Sequence, residues 1–92
     1  MFIYASHIDG SMYTSKTEIS EEDLECELCG DSDTYIGEYK DWADFISQMD
    51  KATFDFHCFN LDWLSDDTGL TREKIIELNP NIKVWNKEAY GE

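Results

Sequence analysis

Basic residues are scarce in this chain. Seven Lys and Arg stand against twenty-one Asp and Glu in 92 residues, a net charge of −14 with neutral histidines. Binding to a nucleic-acid backbone is close to excluded, because it needs a basic surface that releases counterions. Anionic membranes would repel the protein for the same reason. No apolar run approaches the roughly eighteen residues of a spanning helix, and the opening Met1-Phe2-Ile3-Tyr4-Ala5-Ser6 has no basic leader segment. A soluble, intracellular protein is the expectation. Cysteine is sparse and odd in number (Cys26, Cys29 and Cys58), which argues against a disulfide framework. There is no internal repeat, no low-complexity linker, no glycine-rich phosphate loop and no HExxH. Asp31-Ser32-Asp33 lacks the remaining positions of a calcium loop. No nucleophile, base and orienting group can be assembled from the spacing, so the protein is expected not to be an enzyme.

Apolar residues nevertheless make up 41% of the chain and aromatics 14%. That is enough for a real core and argues against intrinsic disorder. The length suits one domain over 1–92. Within it we expect a hairpin and acidic knuckle region over 1–40, a helical part with one or two short strands over 41–86, and a frayed end over 87–92. The charge is uneven: residues 1–50 hold thirteen acidic and two basic side chains, net −11, whereas residues 51–92 are net −3. Residues 18–33 hold eight carboxylates and no Lys or Arg. Such a stretch is either a solvated surface or an electrostatic decoy that docks where a partner holds nucleic acid. Self-repulsion destabilises a small body of this charge, which favours a use for it. Glu21, Glu22, Asp23, Glu25, Glu27, Asp31 and Asp33 are the candidate partner-binding residues.

Strand-prone residues 2–8, the Asp9-Gly10 turn and a returning strand over 12–18 predict an N-terminal hairpin. Ser20 with Asp23 suggests a capped helical turn over 21–25. A third strand, interrupted by Gly37, is expected over 34–40. Asp41 caps a helix of about 42–50 whose stripe is Trp42, Phe45, Ile46 and Met49. The alternation of Phe54, Phe56 and Cys58 against Asp55 and His57 predicts a strand over 52–59. Asn60 or Asp62 caps a short helix ending near Gly69. Thr71 caps another, with Ile75, Ile76 and Leu78 inward and Pro80 as its stop. A last short strand is expected through Ile82, Val84 and Trp85. The fold class is α+β: an N-terminal β-hairpin, a knuckle turn and about three short helices on a small antiparallel sheet.

The most specific chemical signal is Cys26 and Cys29, two residues apart, with Gly30 directly after. This spacing describes a zinc knuckle, whose turn points both sulfurs at one ion about 2.3 Å away. A redox pair is disfavoured, because Glu25, Glu27, Asp31 and Asp33 raise the thiol pKa, while a divalent cation relieves their repulsion. A closed site needs further donors, and the soft or borderline candidates are His7, His57 and Cys58. If 53–59 is a strand, His57 and Cys58 point to opposite faces and His7 becomes the natural fourth ligand. A bulge or a strand-to-helix transition would let both bind. The expected cofactor is one structural Zn2+, which supplies folding energy.

The hairpin, the string Cys26-Glu27-Leu28-Cys29-Gly30-Asp31-Ser32-Asp33 and the acidity resemble small zinc-binding anti-CRISPR proteins of phages and prophages, over residues 1–50. The resemblance implies an inhibitor in the bacterial host cytoplasm that binds a type II RNA-guided nuclease with its guide RNA and blocks loading of target DNA. The channel such a nuclease offers is positively charged. Residues 61–84 are similar to the paired helices of LysM glycan-binding modules at Leu64, Gly69, Leu70, Ile75, Leu78, Asn79 and Pro80. Glycan binding is therefore an alternative. The same pattern fits a helix-turn-helix, but Arg72 and Lys74 are too few for reading DNA. A zinc-stapled adaptor, binding a protein through apolar surface around Trp42 or Trp85, is a third reading.

Overall fold

The computed structural model describes residues 1–25, 28 and 30–91; Cys26, Glu27, Cys29 and Glu92 lie outside them. The fold is α+β, with a three-stranded antiparallel sheet and, among the described residues, six helices where about three were expected. The chain gathers into two units, Met1–Lys40 and Asp41–Glu92.

In the first unit, β1 (Phe2–Ala5) lies between β2 (Met12–Ser15) and β3 (Thr34–Glu38). Ile3, Tyr4 and Ala5 are all buried, so the central strand is covered on both faces. Tyr4 stands opposite Tyr13 on one side and Tyr35 on the other. Their rings follow at centroid distances of 5.6 and 5.3 Å, a row of cross-strand aromatic contacts. A bulge at Ile36 shifts the β1–β3 register between Ile3 and Tyr4.

The hairpin expected at Asp9-Gly10 forms, through a wider turn closed by 2.9 Å bonds from the Ser6 N–H to the Ser11 carbonyl and from the Gly10 N–H to the Ser6 carbonyl. Gly10 takes a φ of 78° there. The first strand stops at Ala5 instead of running to residue 8, because the His7 N–H donates to the Asp33 carboxylate at 2.9 Å instead of to the ladder. The second stops at Ser15, whose hydroxyl turns onto the Thr17 backbone. Ser20 caps α1 (Glu21–Leu24) by accepting from the Asp23 N–H at 3.3 Å.

The second unit is helical throughout its regular structure: α2 (Trp42–Gln48), α3 (Lys51–Phe56), α4 (Leu61–Thr68), α5 (Arg72–Leu78) and α6 (Asn81–Tyr90). Asp41, Asp50, Asn60 and Thr71 each accept a hydrogen bond from the N–H three residues on, so four of these starts are fixed by a side-chain cap. Phe45, Ile46, Met49, Phe54, Phe59, Leu61, Leu64, Ile75 and Ile82 are buried. Two asparagines work inside this apolar set. Asn86 accepts from the Leu61 N–H at 3.0 Å, satisfying a donor that helix geometry leaves orphaned. Asn79 donates to the Ile46 and Met49 carbonyls, both at 3.0 Å, and closes the end of α2.

Two expected strands are helices. Over 52–59, Asp50 starts α3, and Phe54 is 1% exposed while Phe56 is 77% exposed, which a shared strand face would not allow. The strand through Ile82, Val84 and Trp85 is instead part of α6, with Ile82 and Asn86 buried one turn apart and Val84 outward. Pro80 ends α5 as expected but also stands directly before α6. Residues 87–90, part of the end expected to fray, continue α6 as far as Tyr90, whose hydroxyl donates to the Cys58 carbonyl at 3.0 Å. The strands that flank the paired helices of a LysM module are therefore absent among the described residues of this unit. No helix among the described residues is long and apolar enough to cross a membrane.

Candidate functional site

The acidic stretch of the first unit is held at three points. The Ile19 N–H donates to the Tyr4 hydroxyl at 2.8 Å. The Ser20 cap fixes α1, which places Glu21, Glu22 and Asp23 in its first turn, the end where the helix dipole favours anions. Glu25 and Ser32 then form an antiparallel bridge, and the Asp33 N–H donates to the Leu24 carbonyl at 3.1 Å. Glu21, Leu24, Glu25, Ser32, Asp33 and Tyr35 line a cleft of about 310 Å³. Glu21, Glu22, Asp23, Glu25 and Asp31 are exposed, and among the described residues none of them forms an ion pair with a Lys, Arg or His side chain. Glu27 lies outside the described residues.

Asp33 behaves differently from its acidic neighbours. It is half-buried, and it accepts from the His7 N–H at 2.9 Å, from His7 Nδ1 at 2.5 Å and, on its other oxygen, from the Tyr13 hydroxyl at 2.5 Å. The Tyr13 hydroxyl, aided by the His7 N–H and ring, holds the Asp33 carboxyl below its ordinary pKa against the opposing effect of burial. Burial pushes the Tyr13 phenol up, and the hydrogen bond and charge of Asp33 push it further. Sequence reasoning missed Tyr13, because nothing in local spacing links a strand tyrosine to a carboxylate in a loop that follows much later.

The candidate metal ligands fall in different places. Cys26 and Cys29 lie outside the described residues. His7 belongs to the first unit and is brought onto Asp33. His57 and Cys58 belong to the second unit, at the end of α3, and the strand that was to set them on opposite faces does not form. His57 is the α3 C-cap, with its ring stacked on Phe59 at 5.2 Å and edge-on to Phe56 at 4.9 Å. Burial holds its pKa below the ordinary histidine value. Cys58 sits at a φ of 54° and its thiol is free and exposed, so it is not part of a phenylalanine face. Among the described residues no three His, Cys, Asp or Glu side chains are gathered as a metal-holding group. Trp42 and Trp85 are half-buried, packed against Phe45 and Phe54.

Comparison with protein-family models, with curated proteins and with solved structures gives no match for this chain.

Proposed function

We propose that the protein is a non-enzymatic inhibitor whose acidic stretch over residues 18–33 competes for the basic surface by which a partner holds nucleic acid. One zinc ion at Cys26 and Cys29 staples that stretch. The partner is a type II RNA-guided nuclease with its guide RNA, and the step blocked is loading of target DNA. The observation that carries this reading is the run of exposed carboxylates at Glu21, Glu22, Asp23, Glu25 and Asp31 without a cationic partner among the described residues. A surface that neutralised its own charge would have little to offer a basic channel. This one presents its negative potential outward, where it steers association and competes with phosphates.

The test is target-DNA binding by the guide-loaded nuclease, followed by fluorescence anisotropy with rising amounts of the protein. Inhibition should weaken steeply as salt is raised. Reversing Glu21, Glu22, Asp23 and Glu25 to Lys should abolish it while leaving the melting temperature in place. Inhibition that is flat with salt, or that survives the reversal, refutes the reading.

A further inference from the structure

The cleft of about 310 Å³ beside α1 is built from two walls of different chemistry. One is the face of α1 that carries Glu21, Leu24 and the C-cap Glu25, spaced three and four residues apart. A half-buried leucine therefore lies beside two exposed carboxylates. The other wall is Tyr35 of β3, whose ring is 46% exposed although it lies against the buried Tyr4 at 5.3 Å. Both walls are fixed. The Ser20 cap and the Glu25–Ser32 bridge hold α1, and the Asp33 N–H on the Leu24 carbonyl joins it to the segment leading into β3. Asp33 also lines the cleft, but His7 and Tyr13 already occupy both of its oxygens. Glu18 and Glu38 stand near the Tyr35 phenol: burial pushes its pKa up first, and their charges push it further. An exposed aromatic ring is set among carboxylates here. Among the described residues, none of Glu18, Glu21, Glu25 and Glu38 is paired with a Lys, Arg or His side chain.

We propose that this cleft takes an arginine side chain of the basic partner, with the guanidinium plane against the Tyr35 ring and its N–H groups on Glu21 and Glu25. This inference rests on the reading of residues 18–33 as a docking surface and names the group that surface anchors. Charge sets the sign: among the described residues the cleft is lined by three carboxylates and no cation, so phosphates and acidic peptides are repelled. Charge alone would not choose between arginine, lysine and a hard metal ion. Tyr35 and Leu24 make that choice. Mg2+ or Ca2+ takes oxygen ligands and gains nothing from a leucine or the face of a ring. An ammonium is compact and strongly hydrated, whereas a guanidinium is planar, weakly hydrated and stacks on aromatic faces. Stacked on Tyr35, it still presents its N–H fork edgewise to carboxylates, the strong charge-assisted form of the bond. The methylene stem of the same side chain lies along Leu24. An arginine bound in this way is covered at its apolar parts and paired at its polar ones, the character of an interface anchor. Glu22, Asp23 and Asp31 are exposed outside the cleft lining, and they contribute long-range steering.

The experiment titrates the full chain at low salt with two capped peptides of equal length and charge. One alternates arginine with glycine, the other lysine with glycine. The Tyr35 ring resonances and the side-chain carboxyl carbons of Glu21 and Glu25 are followed by NMR. The arginine peptide should bind more tightly than the lysine peptide and move all three sites, with the arginine Hδ protons shifted upfield by the ring. Tyr35→Leu should weaken the arginine peptide about 3- to 10-fold and leave the lysine peptide nearly unchanged, while Tyr35→Phe keeps the preference. Glu21→Gln and Glu25→Gln should each weaken both peptides more than Asp66→Asn, which removes the same charge from α4. Because the ring shifts are read on the unmodified chain, a variant that fails to fold does not blunt the test. A lysine peptide that binds as tightly and moves the same ring overturns the inference. So does arginine binding that leaves the Tyr35 ring in place, or no binding at all. If the arginine peptide binds at Tyr35 and DNA loading is still not inhibited, only the proposed function is lost. If wild type and Tyr35→Leu inhibit loading equally, the cleft is not the anchor, and only this inference is lost.

Discussion

Tyr13 and Asp33, twenty residues apart, are joined by a 2.5 Å hydrogen bond from the phenolic hydroxyl to Oδ2, reaching from β2 past the central strand to the residue that leads into β3. The bond ties the N-terminal hairpin to the residue that follows the Glu25–Ser32 bridge. A hydrogen bond to a charged acceptor is worth more than a neutral one, and Tyr13 is half-buried where it is made. Tyr13→Phe keeps the ring stacked on Tyr4 and removes only the donor. It should cost about 1–2 kcal/mol, read as a lower urea midpoint at unchanged slope. A midpoint equal to wild type would show that the hydroxyl contributes nothing.

The sites that local chemistry decides were readable along the chain. Ser20, Asp41 and Thr71 cap the helices expected of them, and the Phe45, Ile46 and Met49 stripe is buried as its spacing requires. Alternation misled where tertiary packing chose between two periods. Phe54, Phe56 and Cys58 read equally as one strand face, but the Asp50 cap starts a helix in which Phe54 faces inward and Phe56 outward. The His7–Asp33–Tyr13 cluster was not legible at all, since it joins residues of three separate segments through the sheet order β2-β1-β3. His7 and Asp33 are each singled out in the sequence, for metal binding and for partner binding, but nothing there pairs them with each other or with Tyr13.

The phenylalanine pair turns that correction into a measurement. Phe54→Ala removes a ring that is 1% exposed and packed on Trp85 at 5.7 Å, and it should cost about 3–5 kcal/mol. Phe56 is 77% exposed, and Phe56→Ala should stay within about 0.5 kcal/mol of wild type. Equal, large losses at both positions in thermal or urea unfolding would restore the shared strand face.

His57 gives the stability a dependence on pH. Burial lowers its folded pKa, so the fold favours the neutral ring. Above the unfolded value of about 6.5 neither state carries the proton, and this residue imposes no cost. As pH falls through that value the unfolded chain takes up the proton first, and stability declines until the folded pKa is passed. His57→Gln should remove that decline. The difference in unfolding free energy between the two proteins, followed from neutral pH to just above the carboxylate range, isolates the effect. A difference that does not change with pH over that interval would show that the ring titrates alike in both states.

Asn79 matches a position of the LysM-like pattern, and the structure gives it a structural task. It is 5% exposed, and its amide donates to the carbonyls of Ile46 and Met49, the first inside α2 and the second just past its end. The Ile46 carbonyl also accepts from the Met49 N–H at 3.3 Å. The Met49 carbonyl lies at the helix end that lacks intrahelical donors, so the side chain of one helix terminus completes another. Asn79→Leu keeps the bulk but removes the donor that both carbonyls share. The Ile46 carbonyl keeps the Met49 N–H, while the Met49 carbonyl loses the amide in an apolar setting, at about 1–3 kcal/mol. Asn79→Asp is worse, because it sets a carboxylate oxygen against carbonyl oxygens in place of the donor. The expected order of urea midpoints is wild type, then Leu, then Asp. Amide exchange at Met49 and Asp50 should quicken in both variants, ahead of exchange in α4. If Leu is tolerated without loss, the amide is not what joins α5 to α2, and side-chain packing around Ile75 must carry that junction alone.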